Sequence, residues 1–302
     1  MRIEQALCAA VVAIGTSTAW AQTSEYVVVS GDNGDLAGLG SPRFLVITAG
    51  AIDRSWAPAA GTDTYQYPIA VGATVRTIAR DAGFDGAEYD LAGFPLGATY
   101  THPASIAQGC LDGTTDGLRN YTLDFAGTVW RCDGDWSNPV ALFTIPSGDL
   151  GTITYDRVFG TLWIGRWSAP QVEEYELDGT PGRTFATGHV KNTALAMDPR
   201  DGTLWLHDRT VQGTYEQWTR EGVMLQRFAV PGADVRNSLG GEFQFPQCAA
   251  DLDVNGQLNV DDIDVFVDAF LNAQPLADLD HSGVFNVDDI DLYVASFIAG
   301  CP

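Results

Sequence analysis

The sequence predicts a mainly β chain: a β-propeller of about five blades, six being the other count allowed, over residues 22–247, and a small all-α domain with two EF-hand-type calcium loops over residues 248–302. Three observations carry this expectation. Aromatic strand ends recur through the body at separations of 42 and 43 residues, the last 55 residues contain a duplication offset by 27, and that tail holds eleven aspartates but no Glu, Lys or Arg. The whole chain sets 16 Lys+Arg against 39 Asp+Glu, a net charge of -23, which excludes nucleic-acid binding by phosphate neutralisation and suits divalent cations. The single lysine is Lys191, so a polybasic membrane patch is absent.

Residues 1–21 follow the order of a secretory signal peptide: Arg2, an apolar run from Ala6 to Ile14, then small residues ending in Ala19-Trp20-Ala21. The run falls short of the roughly 20 residues a membrane span needs. Cleavage after Ala21 and a secreted, extracellular or cell-surface location are therefore expected, with no transmembrane segment. Cys8 leaves with the leader. Cys110, Cys132, Cys248 and Cys301 can pair in three ways. The first two lie in the β-rich body and the last two bracket the acidic tail, which favours 110 with 132 and 248 with 301.

The body shows short β-rich runs separated by Gly, Pro and Asp-Gly turns, with little helical periodicity. Segments opening at Glu88-Tyr-Asp-Leu-Ala-Gly, Arg131-Cys-Asp-Gly, Glu174-Tyr-Glu-Leu-Asp-Gly and Gln217-Trp-Thr-Arg-Glu-Gly close at Tyr100, Phe143, Phe185 and Phe228. Gly160-Thr-Leu-Trp163 returns as Gly202-Thr-Leu-Trp205. A period of about 40 to 45 residues with internal turns is that of a four-stranded propeller blade; an irregular β-sandwich is the alternative. The ring must be closed by pairing its ends, for which Glu242-Phe-Gln-Phe245 beside Tyr26-Val-Val-Val29 is the expected match. Segments 156–163 and 198–205 resemble repeats of extracellular NHL- and SMP-30-like propellers. In SMP-30-like lactonases an axial metal is held by Glu, Asn and Asp, and Asn192 is the residue such a likeness would place near the axis; as a polar turn residue it needs no such role.

Chemical motifs are scarce in the body. His102, His189 and His207 fall in no metalloprotease, nucleophile-elbow or phosphate-loop pattern. Asp208 and Arg209 either face the central channel or form a surface ion pair. The aromatic residues at 130, 136, 163, 167, 175, 205 and 218 could serve as sugar-stacking platforms, yet their recurrence at blade spacing points to packing.

In the tail, Asp251-Leu-Asp-Val-Asn-Gly-Gln-Leu-Asn-Val-Asp-Asp262 aligns with Asp278-Leu-Asp-His-Ser-Gly-Val-Phe-Asn-Val-Asp-Asp289. Each copy places oxygen-bearing groups at calcium-loop positions 1, 3, 5, 9 and 12 and glycine at 6. The first offers Asp251, Asp253, Asn255, the Gln257 carbonyl, Asn259 and Asp262; the second offers Asp278, Asp280, Ser282, the Val284 carbonyl, Asn286 and Asp289. All are hard donors that suit Ca2+, one ion per loop. After each loop, apolar residues at 263, 266, 267, 270 and 271, and again at 290, 293, 294, 297 and 298, have helical spacing, so the two stripes are expected to bury each other.

This loop-then-helix duplication resembles the type I dockerin domain, and Gly300-Cys301-Pro302 is similar to the ends of cysteine-closed dockerins of surface-anchored proteins. The resemblance implies a cohesin-like or cell-envelope partner contacting loop positions 10 and 11, which here are Val260 and Asp261, then Val287 and Asp288. Dockerins usually carry a Ser/Thr pair there and a basic pair farther along the helix, where this chain has Val267-Asp268 and Val294-Ala295. The functional expectation is an exported, calcium-stabilised docking protein whose propeller presents a glycan- or protein-binding surface. The alternative is a carbohydrate-active enzyme, a hydrolase, lyase or lactonase delivered by the tail; a carboxylate pair in a sugar-sized axial cleft would mark it.

Overall fold

The computed structural model describes residues 25–30, 43–146, 149–211, 213–231, 238–280 and 282–300. The expected leader and Cys301 lie outside the described residues. The body is a five-blade propeller of four-stranded antiparallel sheets. In the first blade, β1 (Tyr26–Ser30), β2 (Arg43–Thr48) and β3 (Ala51–Trp56) are completed by the last strand of the body, β20 (Gly241–Phe243). The second comprises β4 to β7 (Ile69–Val71, Val75–Thr77, Asp85–Tyr89, Pro95–Thr101) and the third β8 to β11 (Cys110–Thr115, Arg119–Asp124, Thr128–Asp133, Val140–Thr144). The fourth comprises β12 to β15 (Leu150–Asp156, Thr161–Arg166, Gln171–Tyr175, Pro181–Ala186) and the fifth β16 to β19 (Asn192–Met197, Leu204–Asp208, Thr214–Trp218, Met224–Ala229).

The ring closes where the sequence places the closure. Tyr26, Val27 and Val28 pair with Phe243, Glu242 and Gly241, so the first and last strands of the body share one sheet and the ring has no open end. The inner strands β20, β4, β8, β12 and β16 each pack on the next around that axis. β8 and β16 are buried along their whole length, whereas the outer strands β7 and β19 alternate towards solvent.

The aromatic period has a packing cause. Phe143 on β11 meets Tyr175 of the next blade at 5.6 Å between ring centres, and Phe185 on β15 meets Trp218 of the blade after that at 5.4 Å. Each ring also lies on the tight-turn glycine of its neighbour: a Cβ on Gly179 would stand 2.7 Å from Phe143 and one on Gly222 2.3 Å from Phe185. Both glycines have positive φ, so close approach and backbone conformation together require a residue without a side chain. The recurring aromatic-and-glycine pair is thus the contact that joins one blade to the next.

The expected bridge between Cys110 and Cys132 is not formed. Both are buried free thiols. Cys110 opens β8 and Cys132 sits on β10, with β9 between them. Strands two apart in a sheet are separated by about 9–10 Å, beyond the roughly 7 Å Cα limit for a disulfide. They pack instead with Ile78, Ile106 and Trp136, and burial pushes both thiols well above the usual range. Cys248 is not among the free thiols.

The tail holds two helices, α1 (Val260–Leu271) and α2 (Val287–Ala299), joined through a short 3-10 turn at Pro275–Ala277. Asn259 and Asn286 cap them, with Asp262 and Asp289 completing reciprocal capping boxes. Phe266 stacks on Tyr293 at 4.1 Å, almost parallel. The apolar stripes nevertheless bury each other only in part: Leu271 is 77% exposed and Ile298 80%, because two short helices crossing at one aromatic pair cannot cover both ends. Among the described residues no helix is long and apolar enough to cross a membrane.

Thiol counting checks the cysteine assignment. Unreduced protein unfolded in guanidinium is expected to expose two thiols that the native protein hides, with Cys110→Ser and Cys132→Ser each removing one; no reactive thiol on unfolding would restore the bridge.

Candidate functional site

The inner strands start at one face of the propeller and end at the other, and the axis between is filled. Thr152 donates from Oγ1 to Asp112 and accepts from the Leu195 amide at 2.6 Å, while Thr154 donates to Glu242 at 3.1 Å and accepts from the Met197 amide at 3.0 Å. Asp112 also accepts from the amides of Gly113, Ile153 and Gly241 at 2.8, 3.2 and 3.0 Å. The Tyr155 amide donates to Thr114 Oγ1 at 3.0 Å. These bonds run from blade to blade, linking β8, β12, β16 and β20. A register shift between Cys110 and Gly113 interrupts the β8 pairing where Asp112 enters this belt.

Asp112 and Glu242 are the carboxylates of the described axis, and burial governs both. It raises Asp112 well above the ordinary carboxylate range despite four donors, and pushes Glu242 up to about 8 against the bonds from Thr114, Phe243 and Thr154. The cavity beside Glu242 measures about 20 Å³, room for roughly one water. Neither carboxylate opens onto a sugar-sized cleft, so the arrangement that would mark a glycoside-cleaving axis is not present among the described residues.

The other sequence candidates divide clearly. His102 is buried between the carbonyls of Ala79 and Ile106 at 2.7 and 3.1 Å. Asn192 begins inner strand β16, near the axis rather than in a turn, with Nδ2 about 3.4 Å from the Arg166 and Ala169 carbonyls. His207 bonds Thr193 at 3.0 Å, and burial lowers it to about 3. Asp208 belongs to neither alternative read from the sequence. It joins His189 and Glu216 in a cluster whose ligand atoms lie within 4.8 Å of one another, and Arg227 bonds Asp208 and reaches Glu216 at 3.3 Å. The cation position there is filled by a guanidinium. Burial lowers the His189 pKa, but bonding and charge from Glu216 and Asp208 outweigh it and leave the imidazole raised. Of the aromatic platforms, Trp136 and Trp163 are fully buried and Tyr175, Trp205 and Trp218 pack between strands; Trp167 is the one in a cleft.

That cleft is the open mouth of the axis. Leu111, Leu150 and Leu239 stand where inner strands start and line a cavity of about 430 Å³, with Arg80, Asp149, Trp167 and Arg209 around it. The Arg209 guanidinium lies 4.6 Å from the Trp167 ring centre. The opposite end is covered by the tail: Tyr155, Arg157 and Phe245 of the body share a cavity of about 320 Å³ with Cys248, Leu252 and Leu279.

In the tail the structure brings together Asp251, Asp253 and Asp262, and again Asp278, Asp280 and Asp289, each trio with oxygens within 4.8 Å. Backbone amides fix the carboxylates. Gly256 donates to Asp251 and Gly283 to Asp278, both at 2.9 Å, from positive-φ positions a side chain would strain. Asp262 accepts from Leu252 and Asn259, and Asp289 from Leu279 and Asn286. Asn255 donates to Asp251 and Asp253; Ser282 donates to Asp278 and Asp280. Asn259 and Asn286 spend one oxygen as helix caps, which suits a water-mediated role at loop position 9. The amide of Gln257 donates to Asn255, and the Val284 carbonyl lies 3.4 Å from Ser282 Oγ. Burial and neighbouring carboxylates hold Asp253 and Asp278 above their ordinary range. Val260 and Val287 are exposed and Asp261 and Asp288 lie beside them in the first helical turns.

No family model matches the sequence, and no curated protein is similar to it. The chain is similar in structure to one in a nidogen/laminin complex, at 12% identity and a TM-score of 0.50, covering 75% of this chain and 100% of that one. It is also similar to a protein of unknown function from Bacteroides thetaiotaomicron, at 12% identity and 0.50, covering 74% and 65%. A streptogramin B lyase matches at 12% identity, 59% and 73% coverage and a TM-score of 0.40. Likeness at this identity shows the propeller fold alone.

The buried Glu242 sets a pH dependence. Its folded pKa is raised, so the native state binds more protons than the unfolded chain between about pH 4.5 and 8, and stability falls as pH rises through that window. Glu242→Gln is expected to flatten this decline in thermal melts from pH 5 to 9 and to leave the variant the more stable protein at the alkaline end.

Proposed function

We propose that the chain is an exported calcium-binding protein in which a dockerin-like tail with two EF-hand-type loops attaches a propeller binding module to a cohesin-like or cell-envelope partner. The observation that carries this reading is the repeated acidic cage. Three carboxylates within 4.8 Å of one another, twice over and 27 residues apart, are costly without a cation. The donors are all oxygen, and their number and spacing fit Ca2+ better than a thiophilic or imidazole-seeking metal. Asp251, Asp253, Asn255, Gln257, Asn259 and Asp262 would hold one ion and Asp278, Asp280, Ser282, Val284, Asn286 and Asp289 the other. A bridge from Cys248 to Cys301 would close the tail, contributing about 4 kcal/mol by loop entropy. Each ion would add about 2.7 kcal/mol at a hundredfold excess over its Kd.

A binding role for the propeller is supported by how its polar groups are used. The axial carboxylates are saturated by hydrogen bonds, His102 and His207 are buried, and His189 is paired. What the body offers a ligand is the mouth opposite the tail. Val260, Asp261, Val287 and Asp288 would meet the tail's partner from the exposed first turns of the two helices.

Titration calorimetry of the full oxidised chain is expected to show two calcium ions bound, with Asp251→Ala and Asp278→Ala each abolishing one, and chelator is expected to reduce the far-UV helical signal. Absence of heat at millimolar calcium would end the reading. Arg157 supplies a finer test: it is half-buried with Nη1 enclosed, is pushed down to about 10 by desolvation, and has Asp251 as the foremost charge opposing the shift. Arg157→Gln is expected to tighten the first site roughly tenfold and leave the second unchanged; equal weakening of both would mean that the tail had merely loosened.

A further inference from the structure

We propose that the open mouth of the propeller binds a carboxylated sugar of the uronate type, its carboxylate between Arg80 and Arg209 and its hydroxyls on Asp149. This rests on the reading of the propeller as the binding module and names its ligand. The site is built from every blade: Arg80 comes from the second, Leu111 from the third, Asp149 and Trp167 from the fourth, Arg209 from the fifth, and Leu239 from the segment entering β20. Its volume of about 430 Å³ lies within the range of small-molecule sites.

Its chemistry is specific. The floor is three buried leucines, Leu111, Leu150 and Leu239, which match the C–H face of a sugar ring. Two guanidiniums and the Asp149 carboxylate stand together at this mouth, with Asp81 bonded to Arg80, so the site offers donors to an acid group beside an acceptor for hydroxyls rather than a net positive field. Both guanidiniums are braced: Arg80 lies 5.3 Å from the Tyr65 ring centre and bonds Asp81, and Arg209 lies over Trp167. Trp167 in turn is fixed through backbone bonds to Asp149 and Lys191 at 2.9 and 2.6 Å. Asp149 accepts from the Ser168 amide through Oδ2 at 2.9 Å. A ligand with no hydrogen-bond donors would be repelled by that carboxylate, whereas one carrying hydroxyls as well as an acid group satisfies the aspartate and the arginines together.

Calorimetry and intrinsic tryptophan fluorescence of the full chain test this, with D-glucuronate and D-galacturonate as probes and glucose and acetate as controls. At least one uronate is expected to bind saturably and at least tenfold more tightly than either control. Arg209→Gln and Arg80→Gln are each expected to weaken it by roughly tenfold or more, as loss of a charge-assisted bond does. Unchanged far-UV spectra and calcium heats in the variants show that they fold. No uronate binding, equal binding of glucose or acetate, or full affinity in both variants would overturn the proposal. Calcium titration of the same samples keeps the two readings apart: uronate without calcium binding would sink the tail reading alone, and calcium without uronate the mouth alone.

Discussion

The hydrogen-bonded belt on the propeller axis is the constraint on which the rest depends. Five inner strands converging on one line leave no room for bulk water, so polar groups there must find protein partners or destabilise the ring. Asp112 meets this demand by accepting from Gly113, Thr152, Ile153 and Gly241, which belong to three strands of three different blades. Thr152 and Thr154 extend the belt to β16 through the Leu195 and Met197 amides. Four of the five sheets are therefore held in register at the centre by directional bonds, while the aromatic-on-glycine contacts hold neighbouring blades at the rim.

The same belt decides where function can reside. A carboxylate with four donors has no lone pair to spend on substrate, and one beside a cavity of about 20 Å³ has none to meet. Filling the axis converts a channel into a floor, and the floor's upper surface is the leucine-lined mouth. The tail occupies the other end, so among the described residues one axial face is left accessible to a ligand.

Much of this was legible in the sequence, for identifiable reasons. The blade period was visible because the contact between blades needs one large ring and one glycine, and each recurs with the repeat: Phe143 with Gly179, Phe185 with Gly222. Ring closure was visible because the body's two ends are both β-rich. The helices of the tail were visible because their apolar spacing and capping asparagines are local. The belt was not, since Asp112, Thr152 and Thr154 read as ordinary polar positions of half-exposed strands and only the register shift in β8 aims Asp112 inward. The Cys110–Cys132 pairing failed for a similar reason: both lie in the β-rich body, but β9 stands between their strands. Asp208 was visible as a charged residue but not as a partner of His189 and Glu216, which lie 19 residues before it and 8 after.

The tail is not an independent handle hung on a linker. Its first acidic loop lies near a half-buried cation of the body, since Arg157 lines the cavity it shares with Leu252 and takes its foremost opposing charge from Asp251. The second loop faces Tyr155, which burial keeps protonated and which Asp278 biases the same way. One cage thus meets a positive charge and its duplicate a neutral ring, although the loops themselves are near copies. Arg157 offsets the mutual repulsion of the first trio. On the calcium reading proposed above, an ion in that cage would cost part of this attraction, so the energy that seats the tail on the propeller and the energy that would bind the first ion oppose each other by linkage. An ion in the second cage would be free of that coupling. Duplication supplied two near-identical cages, and the body's closed face gives them unequal surroundings.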